Sequence, residues 1–288
     1  MVISTNIVPG QGDRPAGTSH IRVGTVNVGT MSGRGSEVVE MLMRRNVDVC
    51  CAQETRWRGG SARKIEGKDS IYKLFWSGDQ SGLGGVGILL AEKWIDAVLS
   101  VKRHRHLCMQ LRFLVGIVIL NLISCYAPQT GLSTEEKHAF CDQVVSIVAA
   151  IPDDEMLLLG GDLNGHVGQQ STSFEDGHGG YGYGEQNQDG VRILDFCVSN
   201  KLAIVNTFFQ KTNNNRLVTY SSGGNQTQID YILTKRCQLK NIRDVKVIGR
   251  EECITQHKLL FSDVTLSTTP AKAPLIPPRR KLWKLNDA

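Results

Sequence analysis

Five short polar motifs recur in order and at wide spacing: Thr25-Val26-Asn27-Val28, Gln53-Glu54-Thr55, Tyr126-Ala127-Pro128, Gly161-Asp162-Leu163-Asn164 and Ile229-Asp230-Tyr231. A late His257 follows them. Most of the motifs close an apolar, β-branched run that reads as a strand. An α/β sheet presents side chains to a ligand at that strand edge. A pocket assembled there would hold the carboxylates Glu54, Asp162 and Asp230, the amides Asn27 and Asn164, the Tyr126 phenol and the His257 imidazole. Such a set suits a divalent metal and a phosphodiester.

The runs between the motifs predict the supporting elements. Arg22–Val28 reads as a strand, and Ser36 caps a helix through Arg45, with Val38, Val39, Leu42 and Met43 on one stripe. Val47–Ala52 is the next strand, so a β-α-β opening brings Asn27 and Glu54 to one edge. Strands follow at Ile71–Trp76 and Val86–Ala91. A meander spans Ala97–Arg103, Cys108–Leu114 and Val115–Tyr126, with a tight turn near Val115-Gly116. A helix starts at Ser133 or Thr134 and ends before Pro152, and Met156–Leu159 is a short buried strand. Gly168–Gly190 reads as a long functional or disordered loop. Val191–Ser199 is a helix. Leu202–Asn206, Val218–Ser221, Ile229–Leu233 and Lys258–Leu266 are strands.

The longest apolar run, Leu114–Leu120, is broken by Gly116 and is too short to span a bilayer, so it reads as a buried strand and no membrane partner is expected. Residues 1–20 are polar and lack the apolar core of a signal peptide, so they read as a disordered arm. The folded domain is expected over 21–267, and 268–288 as a Pro-rich linker with the basic cluster Arg279-Arg280-Lys281-Leu282-Trp283-Lys284. Eight cysteines without a CxxC pair read as buried free thiols in a reducing compartment and argue against a zinc site. The net charge of +5 permits a polyanionic partner without requiring one.

Each motif has a bland reading beside the chemical one. Asp162 and Asn164, two apart after paired glycines, can face one pocket or form an Asx-type turn. Glu54 is a hard oxygen ligand for Mg²⁺ or an exposed strand end. Asn27 caps a turn or touches metal or phosphate. Asp230 inside a strand pattern needs a partner. His257 is the natural one, with the carboxylate fixing the imidazole tautomer. Tyr126 donates to a phosphate or packs as a rim aromatic. His104 and His106 read as a solvated strand end. Gly182-Tyr183-Gly184 lacks the strand and third glycine of a dinucleotide fingerprint.

At these residues the chain resembles the endonuclease/exonuclease/phosphatase superfamily, with its deoxyribonuclease-I-like fold, from about Arg22 to Leu266. Within it, Cys50–Trp57, the Gly/Tyr loop His178–Asn187, Gln228–Leu233 and Arg279–Leu285 look like the apurinic-endonuclease-like domain of RTE-type non-LTR retrotransposons. Craniofacial development protein 2-like proteins look similar. The resemblance implies an α/β four-layer sandwich, two face-to-face mixed β-sheets flanked by helices. It implies Mg²⁺, with Mn²⁺ as an alternative, held by Glu54, Asn27, Asp162 and Asn164. Asp162 would orient or activate water, Asn164 and Tyr126 would contact the phosphate, and Asp230 would pair with a transition-state-stabilising His257. It further implies a monomeric DNA endonuclease in the nucleus that leaves a 3′-hydroxyl, with a reverse transcriptase domain as partner in a longer polyprotein. A phosphatase of the same fold and a co-opted, weakly active binding domain are the alternatives. Two positions depart from the pattern: Gly29 and Gln256 stand where relatives carry acids, which removes negative charge near the metal.

Overall fold

The computed structural model describes residues 17–249, 251, 253 and 256–267. The chain opens with β1 (Thr18–Asn27), helix α1 (Gly35–Arg44) and β2 (Val49–Gln53). β3 (Gly60–Glu66), β4 (Ile71–Ser77) and β5 (Val86–Ala91) follow, then a meander of β6 (Val98–His104), β7 (Cys108–Val115) and β8 (Val118–Tyr126). Helix α2 (Thr134–Ala149) leads to β9 (Met156–Asp162), and α3 (Gln188–Ser199) leads to β10 (Leu202–Ile204). A small hairpin, β11 (Tyr220–Ser222) and β12 (Asn225–Thr227), precedes β13 (Asp230–Lys235), β14 (Ile242–Val247) and β15 (Leu260–Ser267).

The strands form a seven-stranded sheet in the order β14-β15-β1-β2-β5-β4-β3 and a six-stranded sheet in the order β10-β13-β9-β8-β7-β6. Both are mixed. β1 and β2 run parallel at the centre of the first, and β8 and β9 run parallel at the centre of the second. The sheets face each other through Val23, Val49, Cys51, Ile88 and Leu90 on one side and Leu111, Phe113, Leu122, Leu158 and Ile232 on the other. Alternation then turns Cys50, Leu74 and Leu89 outward onto Val38, Val39 and Leu42 of α1. On the far face Ile123, Leu157 and Leu159 meet Val144, Ile147 and Val148 of α2 and Leu194 of α3. The result is the four-layer sandwich, helix on sheet on sheet on helix.

Several expectations are corrected. The first strand begins at Thr18, which pairs with Ser267, so Thr18–His20 belong to the sheet rather than to an arm. Residues 1–16 and the linker and basic cluster at 268–288 lie outside the described residues. Ser36 is not a cap: α1 starts at Gly35 behind Arg34, without a side-chain cap. Ser133, by contrast, forms a full capping box with Glu136. The run Leu114–Leu120 is not one buried strand but crosses the β7–β8 turn, where Gly116 has φ +65° and Leu114 and Ile117 are exposed. Leu202–Asn206 splits into β10 and a 3₁₀ turn at Val205–Phe208. Six of the eight cysteines are buried and all are free, with Cys141 half-buried and Cys237 exposed.

Candidate active site

Parallel pairing places the candidate residues together. Asn27 ends β1 in register with Gln53 at the end of β2, and Glu54 follows one residue on. In the other sheet Tyr126 ends β8 in register with Asp162 at the end of β9. Asp230 starts β13 and lies directly opposite Asp162 in the antiparallel β9–β13 pair. One edge of the sandwich therefore gathers residues from both sheets. Behind it a buried polar seam joins the sheets: the Gln53 amide donates to Thr25 Oγ1 at 3.2 Å and to Ser124 Oγ at 3.4 Å.

The side chains form one connected array. The Asn27 amide donates to Glu54 Oε1 at 2.9 Å and to Asp162 Oδ2 at 3.1 Å, while its Oδ1 accepts from Gly29 N–H. The Tyr126 hydroxyl donates to Glu54 Oε1 at 2.9 Å, and Arg56 donates to Glu54 Oε2 at 2.9 Å. Asp162 Oδ1 accepts from the Asn164 backbone N–H at 3.2 Å. The Asn164 side chain donates to Ala127 O at 2.9 Å, bracing the loop after β8. Glu54, Arg56 and Asn164 all hold left-handed backbone, with φ of 52°, 55° and 50°. Asn tolerates that region, but Glu and Arg adopt it at a cost, and such strain clusters at functional sites.

His257 reaches the site from the segment just before β15. Backbone bonds Ser221 N–H to Gln256 O and Lys258 N–H to Thr219 O pin that segment to β11. The Tyr220 ring lies 4.7 Å from the imidazole, centroid to centroid. His257 Nδ1 lies 3.0 Å from Asp230 Oδ2, and its Nε2 lies 3.7 Å from Asp162 Oδ2. The acids Asp162 and Asp230 are 2% and 0% exposed, so their charges cannot be relieved by water.

The electrostatics follow from this burial. Burial and the charge of Asp230 raise the Asp162 carboxyl well above its ordinary range, against the pull of His257. Burial would lower His257, but the charge of Asp230, the bond to it and the charges of Asp162 and Glu54 raise it to about 9. Burial also raises Glu54, yet the bonds from Asn27, Arg56 and Tyr126 outweigh it and leave this carboxyl below its usual range. Burial and the charge of Glu54 raise the Tyr126 phenol, which stays a donor.

The donor set fits a hard divalent cation. Ligand atoms of Asp162, Asp230 and His257 lie within 4.8 Å of one another. Glu54 joins them through Asn27. Of the four residues expected at the metal, Asp162 belongs to this compact group. Glu54 and Asn27 adjoin it, and Asn164 turns its side chain to Ala127. Carboxylate-rich sites suit hard divalent cations. Asp162 is raised first by burial and then by the charge of Asp230, and a bound cation would offset both.

Sequence reasoning missed the supports. Thr219 Oγ1 accepts from the backbone N–H of both Ile229 and Asp230 at 3.0 Å. The Asn206 amide donates to Asp230 O at 3.0 Å and its oxygen accepts from Ile232 N–H. A buried Asn closing an apolar run was a readable signal; a Thr in a β-branched stretch was not. The charge pair of Glu54 with Arg56, two residues on, was also readable.

The comparisons agree with this frame. The Endonuclease/Exonuclease/phosphatase family matches residues 24–251. Craniofacial development protein 2 of Tragulus javanicus and of Bos taurus are each 29% identical over 248 residues, or 85% of this chain. The chain spans only 42% and 41% of those relatives' own lengths. Among solved structures, the Xenopus laevis APE2 catalytic domain superposes with a TM-score of 0.65 at 15% identity, covering 88% of this chain and 94% of that one. The endonuclease domain of TRAS1, a telomere-specific non-LTR retrotransposon, superposes with a TM-score of 0.59 at 14% identity, covering 87% and 100%. Family match, sandwich and edge site agree: the chain belongs to the endonuclease/exonuclease/phosphatase family.

Proposed function

We propose that this domain is a Mg²⁺-dependent phosphodiesterase of retrotransposon origin, a DNA endonuclease that nicks one strand and leaves a 3′-hydroxyl. The observation that carries the reading is the Asp162–His257–Asp230 cluster, two buried acids facing across β9 and β13 with an imidazole between them. Asp230 holds His257 protonated, and its Nε2–H faces the space in front of Asp162, where a scissile phosphate would gather charge. Asp162, beside the His257 imidazole at the end of β9, is placed to orient or activate an attacking water. Tyr126 offers a phenol donor to a phosphate oxygen. Glu54, Asp162 and Asp230 would hold Mg²⁺, which when bound supplies charge neutralisation for the phosphoryl and leaving oxygens. On the same reading DNA is the partner, and the domain works as a monomer beside a reverse transcriptase domain in a longer polyprotein, in a nuclear setting. No helix among the described residues is long and apolar enough to cross a membrane.

Nicking of supercoiled plasmid tests this. The full chain should nick with Mg²⁺, stop with EDTA, and lose about 10²–10⁴-fold in rate as Asp162→Ala. Nicking that persists in Asp162→Ala and His257→Ala protein sinks the assignment. Gly29 and Gln256 favour a second reading, a binding domain with weak catalysis. Gly29 has open space around it where the family resemblance leads one to expect an acid, and Gln256 donates to Ser222 Oγ at 3.1 Å rather than adding charge beside His257. DNA binding that survives Asp162→Ala, without Mg²⁺-dependent nicking by the native chain, supports that reading. Release of inorganic phosphate from a small phosphomonoester, without nicking, supports a phosphatase.

A further inference from the structure

Cys108 and Cys125 lie seventeen positions apart in the chain and directly opposite each other in the β7–β8 pair. Their sulfurs are 3.3 Å apart, and both residues are fully buried. Tyr126 N–H donates to Leu107 O at 2.9 Å, which marks the two cysteines as a non-hydrogen-bonded pair of the antiparallel ladder. Opposed Cα atoms in such a pair stand about 4.5 Å apart, inside the span that a disulfide bridges. Both thiols are free.

Neither thiol has a part in the chemistry proposed above, yet Cys125 directly precedes Tyr126. The backbone of Tyr126 is tied to β7 through Leu107, and its hydroxyl donates to Glu54 Oε1 at 2.9 Å. A change of spacing between Cys108 and Cys125 therefore reaches Tyr126 within one residue.

Cys125 also borders a cavity of about 60 Å³ between the second sheet and helices α2 and α3, walled by Ala127, Phe140, Leu163 and Phe196 among others. The ion-paired Lys137, Asp189 and Arg192 line it too. A space of this size admits water-sized molecules and excludes a peptide thiol such as glutathione. Hydrogen peroxide is an oxidant small enough to enter.

We propose that Cys108 and Cys125 form a peroxide-driven disulfide that shifts Tyr126 against Glu54. The Cys125 sulfur, which borders the cavity, attacks one peroxide oxygen. An S–O bond forms, the O–O bond breaks, and the departing hydroxide takes the thiol proton and leaves as water. The Cys108 sulfur then attacks the Cys125 sulfenic sulfur. The S–S bond forms, the S–O bond breaks, and a second water leaves with the Cys108 proton. Two electrons pass from the two sulfurs to peroxide. Burial pushes the Cys125 thiol up and keeps it protonated, so the reduced pair survives until oxidant accumulates. Closing the sulfurs from 3.3 Å to about 2.05 Å draws β8 onto β7 where Tyr126 is anchored. The effect on rate, though not the bond itself, rests on the endonuclease reading.

The test treats the purified chain with hydrogen peroxide, removes the excess with catalase, alkylates remaining thiols in urea and maps the digested peptides by mass spectrometry. A second portion is assayed for plasmid nicking in Mg²⁺. A linked Cys108–Cys125 peptide pair should appear, lighter by two hydrogens than its reduced halves. Nicking should fall by about tenfold or more, as displacement of a positioned group at a reacting centre does. Cys125→Ala protein, checked for folding by circular dichroism, should form no link and keep its nicking rate through the same treatment. Cys108→Ala serves as the second variant and should likewise form no link. Unlinked peptides in the peroxide-treated native chain overturn the proposal, as does Cys125 linked to Cys51 or Cys141 instead. An equal loss of nicking in Cys125→Ala, or an unchanged rate in the linked native chain, overturns the control of Tyr126. A linked pair in a chain that never nicks, reduced or oxidised, overturns the endonuclease reading and leaves the disulfide standing.

Discussion

His257 owes its charge to its neighbours, and this sets a pH dependence. Its pKa moves from 6.5 to about 9 on folding because Asp230, Asp162 and Glu54 surround it. The folded protein thus binds this proton more tightly than the unfolded chain. The stabilisation is full below pH 6.5 and is lost as pH rises through about 9. Asp162, also raised, has the same sign in a lower window. In EDTA, urea unfolding at pH 6 and at pH 9.5 should differ by on the order of 2–3 kcal/mol, and His257→Asn should remove most of that difference. Equal pH dependence in the two proteins would show that the Asp230–His257 pair contributes nothing to stability. Gln256→Glu adds an acid next to His257, where the native amide merely reaches Ser222. It should tighten Mg²⁺ binding, read by titration of thermal stability; unchanged or weaker binding refutes that. Asn27, Glu54, Tyr126, Asp162, Asp230 and His257, which lie together at one edge, were legible because polar groups closing apolar runs stand out in a sequence. Thr219 was not, because its role exists only once β13 is brought against it.

Elements explain what remained hidden. β3 (Gly-Ser-Ala-Arg-Lys-Ile-Glu) and β14 (Ile-Arg-Asp-Val-Lys-Val) gave no strand signal, and they are the two edges of the seven-stranded sheet. Edge strands carry charge because open N–H and C=O rows invite pairing with other chains, so their period-2 pattern is diluted. Ile65 is the one buried residue of β3. Central strands, buried on both faces, were all found, but their ends were misplaced: β1 was read from Arg22 instead of Thr18 and β9 to Leu159 instead of Asp162. α3 was placed three residues late because Gly190 looked like loop; it lies inside the helix because a Cβ there would sit 1.7 Å from His166 O. The same crowding governs β9, where a Cβ on Gly161 would meet Cys125 O at 2.3 Å. Gly161→Ala must therefore push apart the parallel β8–β9 pair that carries Tyr126 and Asp162. We expect a loss on the order of 3 kcal/mol in chemical unfolding, with activity falling further than in surface controls. At α2, Ser133→Ala removes the capping box and should cost about 1 kcal/mol with catalysis unchanged, since Ser133 lies on an exposed helix end. A neutral Gly161→Ala would mean that the β8–β9 spacing is softer than its contacts indicate.

At the scale of the whole molecule, the site exists only where the two sheets are held in register. Asn27 and Glu54 come from one sheet, Tyr126, Asp162 and Asp230 from the other, and Asn27 bridges them through its bonds to Glu54 and Asp162. Every candidate catalytic residue lies at or before His257, yet the strand that completes the first sheet comes afterwards. β15 lies between β14 and β1, pairing Thr25 with Leu260 and Thr18 with Ser267 on one side and Val247 with Leu260 on the other. Without it β14 loses its sheet, and β1 loses its ladder from Thr18 to Thr25. The inter-sheet core also loses Leu260, Val264 and Leu266. A chain ended after Lys258 therefore keeps the full chemical inventory and should still fail to fold, because closing contacts between the two ends of a domain come late and act cooperatively. Near-UV circular dichroism of that fragment should be flat, and Mg²⁺ should not restore it. If the fragment instead shows native tertiary signal and nicks DNA, the register of β1 is set by β2 alone and the site does not depend on the completed sheet.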